Sequence, residues 1–415
     1  MNVLKIATAG SVDDGKSTLI GRILYDTNSL TEDKLQAIEE KSAQRGFDYL
    51  DFSLATDGLV AEREQGITID VAHIYFSTPK TSFIIADTPG HIEYTRNMVT
   101  GASNSQASII LVDARNGVVE QTYRHFFINN LLRVKEVIVA VNKMDLVDYS
   151  EEKFNQIKGE IEYLAEKSGF KDQQLTFIPI SALQGDNVVN TSTNISWYQG
   201  KSLLEYLENI EIESTVEEFK TRFPIQTVIR PKTENHHDYR GYAGKLYGGS
   251  LAVGDEVTVL PSATQSKVKS IEFFQESFQE ATPGSAITVT LENDVNLSRG
   301  DMLVKKGEEP QVVKQLDATI CWMDKEPLKT SDKYYVKHGV NDAQVKITGL
   351  DALIHTDFSG EEEQPSQLSL NEIGKVQLKL SKPLFIDTYA ENKSNGAFIL
   401  INPKTNNTSG VGFIN

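Results

Sequence analysis

The first half of the chain alternates short apolar runs with segments in which apolar residues recur at helical spacing. Runs of this length predict buried strands. The candidate strands are Val3 to Ala9, Ile69 to Phe76, Ser82 to Ala86, Ser108 to Ala114, Glu136 to Asn142 and Leu175 to Ile180. Before the last of them, Phe154, Ile157, Ile161 and Leu164 predict an amphipathic helix. The alternation predicts an α/β domain with a mostly parallel, doubly wound sheet and helices on both faces.

The connection from Asp26 to Gly66 is longer than most connections within compact domains. Leu35 and Ile38, set among alternating charges, predict a surface helix within it. We expect a connection of this length to have a functional role.

Helical periodicity fades after a Glu-rich segment that ends at Phe223-Pro224, and short strands then follow between turns that contain glycine. Strand-rich sequence continues to the end, which predicts two small antiparallel β-barrels. The acidic segment from His355 to Gln367 is expected to be a solvated loop. The predicted domains are 1–215 for the α/β domain, 220–305 for the first barrel and 310–415 for the second.

The composition narrows the setting of the protein. The 415 residues carry a formal net charge of −17, which argues against a broad nucleic-acid-binding surface. The single cysteine, Cys321, excludes an intramolecular disulfide and fits a reducing compartment. The sequence has neither a secretory cleavage site nor an apolar run long enough to span a membrane. We therefore expect a cytoplasmic protein.

The segment between the first strand and the next helical pattern matches the phosphate-loop pattern GxxxxGK[ST]. Its residues are Gly10, Ser11, Val12, Asp13, Asp14, Gly15, Lys16, Ser17 and Thr18. Glycines let successive backbone N–H groups turn toward phosphate oxygens, and the helix N-terminus adds positive potential. Lys16 would meet the β- and γ-phosphates, and Ser17 would ligate Mg²⁺.

Two further segments supply groups expected near the phosphates of a nucleotide. Asp87 follows the strand Ser82 to Ala86, where its carboxylate would hold Mg²⁺ through a water, and the Gly90 N–H would bind the γ-phosphate. Thr68 would add a second hydroxyl ligand to Mg²⁺ when the γ-phosphate is present. The preceding long connection would then be ordered by the triphosphate and loosened by the diphosphate.

Selection of the base is predicted at the end of a later apolar strand. The motif there is Asn142-Lys143-Met144-Asp145. The Asp145 carboxylate can accept from guanine N1–H and the exocyclic amine together, whereas adenine has an acceptor at N1. Asp145 therefore predicts selection of GTP over ATP. The backbone groups expected to meet guanine O6 belong to Ser181, Ala182 and Leu183.

Each of these motifs, taken singly, also suits an ordinary structure such as a polar turn, a strand start or a strand-terminal aspartate. Their occurrence together, in this order and at strand ends, favours a nucleotide site. The pair His236-His237 lacks further ligands at suitable spacing, so we expect no metal site there.

The segments GSVDDGKST, EREQGITID, ADTPGHIEYTRNM, NKMD and SAL together resemble a GTPase of the translation-factor superfamily. Within that superfamily, the chain is similar to the large subunit of bacterial sulfate adenylyltransferase. This likeness depends on Asp14, which stands where the aminoacyl-tRNA carriers have histidine, and on residues 25–27, 57–70, 98–103 and 238–244. It is strong from residue 1 to about 305 and looser from there to the end.

The resemblance implies a GTPase that works with a smaller partner subunit, which joins ATP and sulfate into adenosine 5′-phosphosulfate and releases pyrophosphate. It implies GTP and Mg²⁺ as ligands, and neither nucleic acid nor membrane as a partner. His91 matches the residue that orients the attacking water, and Val12 and Ile67 match the apolar gate in front of it. No second phosphate-loop pattern occurs, so adenylylsulfate kinase activity is not expected.

Two other functions stay open at this point. A translation factor that binds aminoacyl-tRNA would share the nucleotide motifs and the barrels, although Asp14 and the DYRGYAG segment count against it. A regulatory GTP-binding module without coupling to chemistry would share the nucleotide motifs alone. Retention of tRNA on a filter tests the first, and GTP turnover with the small subunit, ATP and sulfate tests the second.

Overall fold

We describe the protein from a computed structural model, which defines residues 3–44, 46, 49–55, 71–89, 95–211, 219–231, 239–274 and 276–415. Contacts divide the chain into two compact units, Met1–Ile212 with His355–Gly360, and Glu213–Ile354 with Glu361–Asn415. Among the described residues, none of the helices combines the length and the hydropathy that a membrane span requires.

The first unit is built on a six-stranded sheet. Its strands are β1 (Val3–Ala9), β2 (Ala72–Ser77), β3 (Ser82–Asp87), β4 (Ala107–Asp113), β5 (Glu136–Asn142) and β6 (Gln174–Pro179). Their order across the sheet is β2-β3-β1-β4-β5-β6. All neighbours pair in parallel except β2, which is antiparallel to β3. Because parallel strands end at one edge of a sheet, the segments that follow β1, β3, β4, β5 and β6 meet there.

Helices cover this sheet. They are α1 (Lys16–Asp26), α2 (Glu32–Gln44), α3 (Thr95–Ala102), α4 (Glu120–Leu131), α5 (Glu151–Lys167) and α6 (Leu203–Glu208). Leu19, Ile20 and Ile23 of α1 belong to the same buried cluster as Ile6 and Ile109 of the sheet. Burial of these side chains fixes the start of α1 directly after the loop that leaves β1.

The amphipathic helix predicted from sequence is α5. Its apolar positions are buried as expected, at Phe154, Ile157, Ile161 and Leu164. The Ser150 hydroxyl caps its first turn by accepting the Lys153 backbone N–H at 3.3 Å. The surface helix predicted within the long connection is also confirmed, as α2, with Ile38 on its buried side.

The sheet is mostly parallel, as predicted, and β2 is its antiparallel strand, because only residues 78–81 separate β2 from β3 and a parallel crossover needs a far longer connection. The first two residues of that predicted strand, Ile69 and Asp70, lie outside the described residues. The segment expected to be a solvated loop contains a short strand at Glu361–Glu363, whose side chains are exposed although its backbone pairs with a neighbour.

The first barrel follows in the second unit. Its strands are β7 (Phe223–Ile229), β8 (Gly241–Lys245), β9 (Leu251–Ala252), β10 (Glu256–Leu260), β11 (Thr264–Phe273), β12 (Glu276–Phe278), β13 (Glu280–Ala281), β14 (Ala286–Leu291) and β15 (Met302–Lys305). The order β10-β15-β7-β8-β14-β11 closes through the pairing of β10 with β11. Strand β12 pairs with β11 outside this closed ring.

The second barrel uses the remaining strands. They are β16 (Gln311–Trp322), β17 (Lys333–His338), β18 (Asn341–Ile354), β19 (Glu361–Glu363), β20 (Ile373–Ile386), β21 (Ala397–Ile401) and β22 (Thr408–Ile414). The order β17-β21-β22-β16-β20-β18 closes through the pairing of β17 with β18. The predicted fold class, an α/β domain followed by two small antiparallel barrels, is therefore confirmed.

Candidate functional site

The predicted phosphate loop lies between the end of β1 and the first turn of α1. Gly15 adopts φ 96° and Asp13 adopts φ 68°, so the chain turns through the left-handed region just before the helix. A Cβ atom at Gly15 would lie 2.5 Å from Asn142 Nδ2. Only glycine therefore fits this position. Ser17 and Thr18 lie in the first turn of the helix and are half-buried.

Lys16 lies across the loop that precedes it. Its ammonium donates to the Gly10 carbonyl at 2.6 Å and the Ser11 carbonyl at 3.2 Å. Burial lowers the pKa of Lys16, and the carboxylates of Asp87 and Asp14 oppose that effect. The loop therefore holds a desolvated cation whose present partners are neutral carbonyls.

The Asp14 side chain forms a hydrogen bond within the same loop. Its carboxylate accepts the Ser11 backbone N–H at 2.6 Å, and the side chain is buried. Burial raises the pKa of Asp14, and the hydrogen bond from Ser11 opposes that effect. Val12 lies further along the loop and is 40% exposed.

Asp87 ends β3 beside the strand that leads into the loop. Its carboxylate accepts the Thr8 hydroxyl at 3.1 Å, and the Thr88 hydroxyl donates to the Thr8 carbonyl at 2.5 Å. These bonds lie in the buried part of the sheet and set the direction of the Asp87 side chain. The structure thus brings Asp87 to the same edge as Lys16, as the sequence predicted.

Asn142 connects three of the predicted motifs. Its Nδ2 donates to the Asp14 carbonyl at 2.7 Å, and its Oδ1 accepts the Ala182 backbone N–H at 2.9 Å. The side chain is 1% exposed, so both bonds are shielded from water. Asn142 therefore fixes the distance between the phosphate loop and the turn that contains Ser181 and Leu183.

Lys143 makes a second connection to the loop. Its ammonium donates to the Asp13 carbonyl and lies 2.9 Å from Asp113 Oδ2. Asp113 is also held by Arg115, at 2.6 Å from Nη2 to Oδ2. Burial raises the pKa of Asp113, but hydrogen bonds from Arg115 and Lys143 outweigh it and hold that pKa at about 2. The Asp113 carboxylate is therefore an anion, and it anchors the Lys143 ammonium.

Asp113 and Arg115 were not predicted from the sequence. The available signal was a carboxylate at the end of β4, the same placement that singled out Asp87 at the end of β3. Asp145, predicted to contact the base, lies in the short turn Met144–Val147 after β5 and is half-buried.

Several predicted residues lie outside the described part of the chain. They are Ile67, Thr68, Gly90, His91, His236 and His237. Their predicted roles therefore stay predictions. Among the described residues, no group of three or more His, Cys, Asp or Glu side chains has the arrangement of a metal site.

His125 is a buried histidine of α4 that was not predicted from the sequence to belong to the site. It is 3% exposed, and its Nδ1 has no hydrogen-bond partner within the described segments. Burial and the positive charges of Lys16 and Arg124 lower the pKa of His125 to about 3. The folded chain therefore keeps this imidazole neutral near the phosphate loop.

A pH-dependent stability follows from His125. Between pH 6.5 and 3 the unfolded chain binds a proton at this site and the folded chain does not, so the free energy of unfolding falls as the pH falls. We expect a loss of about 1.4 kcal/mol per pH unit within this window. In His125→Asn this component is absent. Urea denaturation at pH 7 and pH 5, without nucleotide, measures the difference.

The control for this prediction is His73→Asn, because His73 is an exposed histidine on β2. We expect its unfolding free energy to follow that of the wild type at both pH values. Equal pH dependence in His125→Asn and the wild type would show that His125 titrates normally in the folded chain.

Two family models match the chain. "Elongation factor Tu GTP binding domain" matches residues 1–230, which is more than half of the chain, and "GTP-eEF1A C-terminal domain-like" matches residues 315–415. Among solved structures, sup35 complexed with GDP aligns over 100% of this chain and 93% of its own. That alignment has 21% identity and a TM-score of 0.44.

Curated relatives match along the whole chain. The "Bifunctional enzyme CysN/CysC" of Mycobacterium tuberculosis strain H37Rv is 48% identical over 99% of this chain and 67% of its own length. The "Sulfate adenylyltransferase subunit 1" proteins of Bacteroides fragilis and Alteromonas mediterranea are each 48% identical over 100% of this chain, and 86% and 87% of their own lengths. The resemblance identified from sequence is thereby confirmed. The chain belongs to the sulfate adenylyltransferase subunit 1 family of translation-factor-like GTPases.

Proposed function

We propose that this chain is the GTP-hydrolysing subunit of a heteromeric sulfate adenylyltransferase. Its partner, a smaller catalytic subunit, would form adenosine 5′-phosphosulfate and pyrophosphate from ATP and sulfate. The Asn142 amide carries the proposal, because it joins the phosphate loop to the turn at Ala182 and so brings the residues proposed for the phosphates and for the base together. Further support comes from the similarity of the whole chain to sulfate adenylyltransferase subunits.

The phosphates would bind to residues 10–18. Backbone N–H groups at the start of α1 would donate to them, and the Lys16 ammonium would exchange the Gly10 and Ser11 carbonyls for phosphate oxygens. Because Lys16 is already buried, little further desolvation is needed when its partners change. The guanine would be held by Asp145 and by the backbone of Ser181, Ala182 and Leu183.

The donors at this edge of the sheet fit Mg²⁺. Ser17 offers a hydroxyl at the first turn of α1, and Asp87 offers a buried carboxylate that Thr8 already orients. Hard oxygen donors of this kind suit the ion, and we propose Thr68 as a further ligand. When bound, Mg²⁺ would neutralise charge that develops on the phosphates.

We propose that His91 orients the attacking water. His91→Ala should slow single-turnover GTP hydrolysis by roughly 10² or more, because a positioned acid–base group contributes about that factor. The affinity for GTP should change less than about threefold, since the residue would act on the water and leave the phosphate and base contacts intact. Calorimetry and rapid quench measure the two quantities.

Lys16→Ala provides the contrast for His91→Ala, because its ammonium would meet the phosphates directly and its loss should weaken GTP binding as well. An equal loss of binding and hydrolysis in His91→Ala would argue for a structural role of that histidine.

Coupling to sulfate activation requires two conformational states. Forming a phosphosulfate anhydride is strongly uphill, so GTP hydrolysis must be linked to the adenylyl-transfer cycle through states that differ in affinity for the reactants. We propose that the segment ending at Thr68 and the region of His91 change with the γ-phosphate and carry this link. A cytoplasmic location would supply both nucleotides.

We also propose 1–215, 220–305 and 310–415 as the domain limits.

The test is to co-purify this chain with the small subunit and measure GTP turnover with and without ATP and sulfate. We expect a stable complex, faster GTP turnover when all substrates are present, and no phosphosulfate from the isolated chain. Phosphosulfate formed by the isolated chain would contradict the proposed division of labour. Turnover that ignores sulfate would favour a regulatory GTP-binding module, and tight retention of aminoacyl-tRNA would favour a translation factor.

A further inference from the structure

An aromatic residue occupies an unfavourable place in the first barrel. Phe274 lies in the turn between β11 and β12, where it is 91% exposed and adopts φ 54°. A bulky side chain rarely adopts a positive φ, and exposure of a whole phenyl ring to water is also unfavourable. Strain and exposure at one residue point to a function outside the folding of the barrel.

The neighbours of Phe274 extend the exposed apolar surface. Phe273 is 45% exposed and packs edge-on against Phe274, with 4.6 Å between the ring centroids, and Phe278 is 40% exposed. Strand β12 pairs with β11 outside the closed six-stranded ring. The three rings therefore lie at the end of β11, in the turn after it and on β12, and the barrel does not need β12 for closure.

A cavity of about 750 Å³ opens beside this hairpin. We call it the aromatic pocket. Its lining includes Ile229, Pro231, Tyr239, Glu272, Phe274 and Glu276. Glu272 accepts the Tyr239 hydroxyl at 2.6 Å, which orients the carboxylate at the wall. Among the described residues that line the pocket, the charged side chains are those of Glu272 and Glu276.

We propose that the aromatic pocket is the docking site for the small subunit, which would insert an apolar side chain flanked by lysine or arginine. The proposal rests on the proposed function, because that function supplies the partner. Charge complementarity selects its chemistry: aromatic walls take an apolar anchor, and carboxylates at the wall attract basic neighbours. Nucleic acid would bring phosphates to these carboxylates, and a second copy would bring a chain of net charge −17.

The experiment measures the Kd of the small subunit for wild type, Phe274→Gly and Glu276→Lys by surface plasmon resonance. Glycine accepts a positive φ, so Phe274→Gly keeps the turn while it removes the ring. We expect Phe274→Gly to raise the Kd roughly tenfold or more, as for a central aromatic anchor. Glu276→Lys should also raise the Kd. The contribution of residue 276 to the salt dependence of the Kd should change sign, because salt screens an attraction to basic partner residues in the wild type and a repulsion in the variant.

Tyr163→Ala is the matched control, since Tyr163 is an aromatic residue of α5 that is 56% exposed and lies outside the pocket. Its Kd should stay within about twofold of the wild type. All variants should keep the thermal unfolding temperature and the basal GTP turnover of the isolated chain.

The outcomes separate the two proposals. If the wild type binds the small subunit and both pocket variants bind equally well, the docking site is wrong and the proposed function stands. If the wild type does not bind the small subunit, both are wrong. Loss of self-association or of tRNA binding in Phe274→Gly, with unchanged affinity for the small subunit, would assign the pocket to a second copy or to nucleic acid and overturn the proposal.

Discussion

Asp145→Asn should weaken GTP binding by roughly 10²- to 10³-fold and should strengthen xanthosine triphosphate binding. The carboxylate would accept two hydrogen bonds from guanine, and each bond to a charged group contributes about 1.5–3 kcal/mol. An amide keeps one acceptor and turns its NH₂ toward the guanine amine, where two donors face each other. A loss of about 3–4 kcal/mol corresponds to the stated factor.

Xanthine makes this prediction specific, because it carries a carbonyl oxygen where guanine carries the amine. The side-chain amide that Asp145→Asn introduces would therefore donate to that oxygen while it accepts from N1–H. Calorimetry with GTP, xanthosine triphosphate and ATP measures all three affinities. The matched control is Asp148→Asn, the same chemical change at an exposed aspartate just after the same turn.

We expect Asp148→Asn to bind GTP like the wild type. If Asp145→Asn also binds GTP like the wild type, Asp145 does not contact the base. Tight ATP binding by the wild type would remove the whole basis of selection at this position.

The parts of the site that could be predicted from sequence are those that follow a strand directly. Asp87 and Asp145 come after apolar runs, and the carboxyl ends of parallel strands meet at one edge by geometry alone. The bonds of Asn142 to Asp14 and Ala182 could not be derived in this way. They depend on side-chain direction within a packed interior, which no local pattern specifies.

The barrels show a similar limit. Alternating apolar positions indicated strands, but closure depends on the pairing of β10 with β11 and of β17 with β18. The strand Glu361–Glu363 escaped notice because three consecutive glutamates show no alternation of apolar and polar residues. Backbone pairing with the end of β18 stabilises the extended conformation of this strand, a role that side-chain burial has in the other strands.

Arg222→Ala should lower the free energy of unfolding of the second unit by about 3–5 kcal/mol. Arg222 is 1% exposed and forms a bidentate ion pair with Asp387, with Nε to Oδ2 at 2.8 Å and Nη2 to Oδ1 at 2.7 Å. Its Nη1 donates to the carbonyls of Thr221 and Glu308 at 2.9 and 2.6 Å. Removing the guanidinium leaves a buried carboxylate without its cation and two carbonyls without that donor.

The expected fall in melting temperature is about 6–20 °C for a unit of this size, seen in the transition that reports the barrels by calorimetry. Lys375→Ala is the control, because its ion pair with Glu361 is about two-fifths exposed on each side and should contribute less than about 1 kcal/mol. A melting temperature of Arg222→Ala equal to that of the control would contradict the prediction.

The double variant Arg222→Met, Asp387→Leu separates the charge from the contact. Replacing both members of a buried ion pair by apolar side chains of similar size is often close to neutral, because both desolvation penalties disappear with the attraction. Recovery should be partial here, since Asn395 would lose the carboxylate that accepts its Nδ2 at 2.8 Å. Arg222 precedes β7 of the first barrel and Asp387 follows β20 of the second, so this pair joins the two barrels through side chains rather than through the strand ladders. The size of the recovery therefore measures how much of that connection is electrostatic and how much is packing.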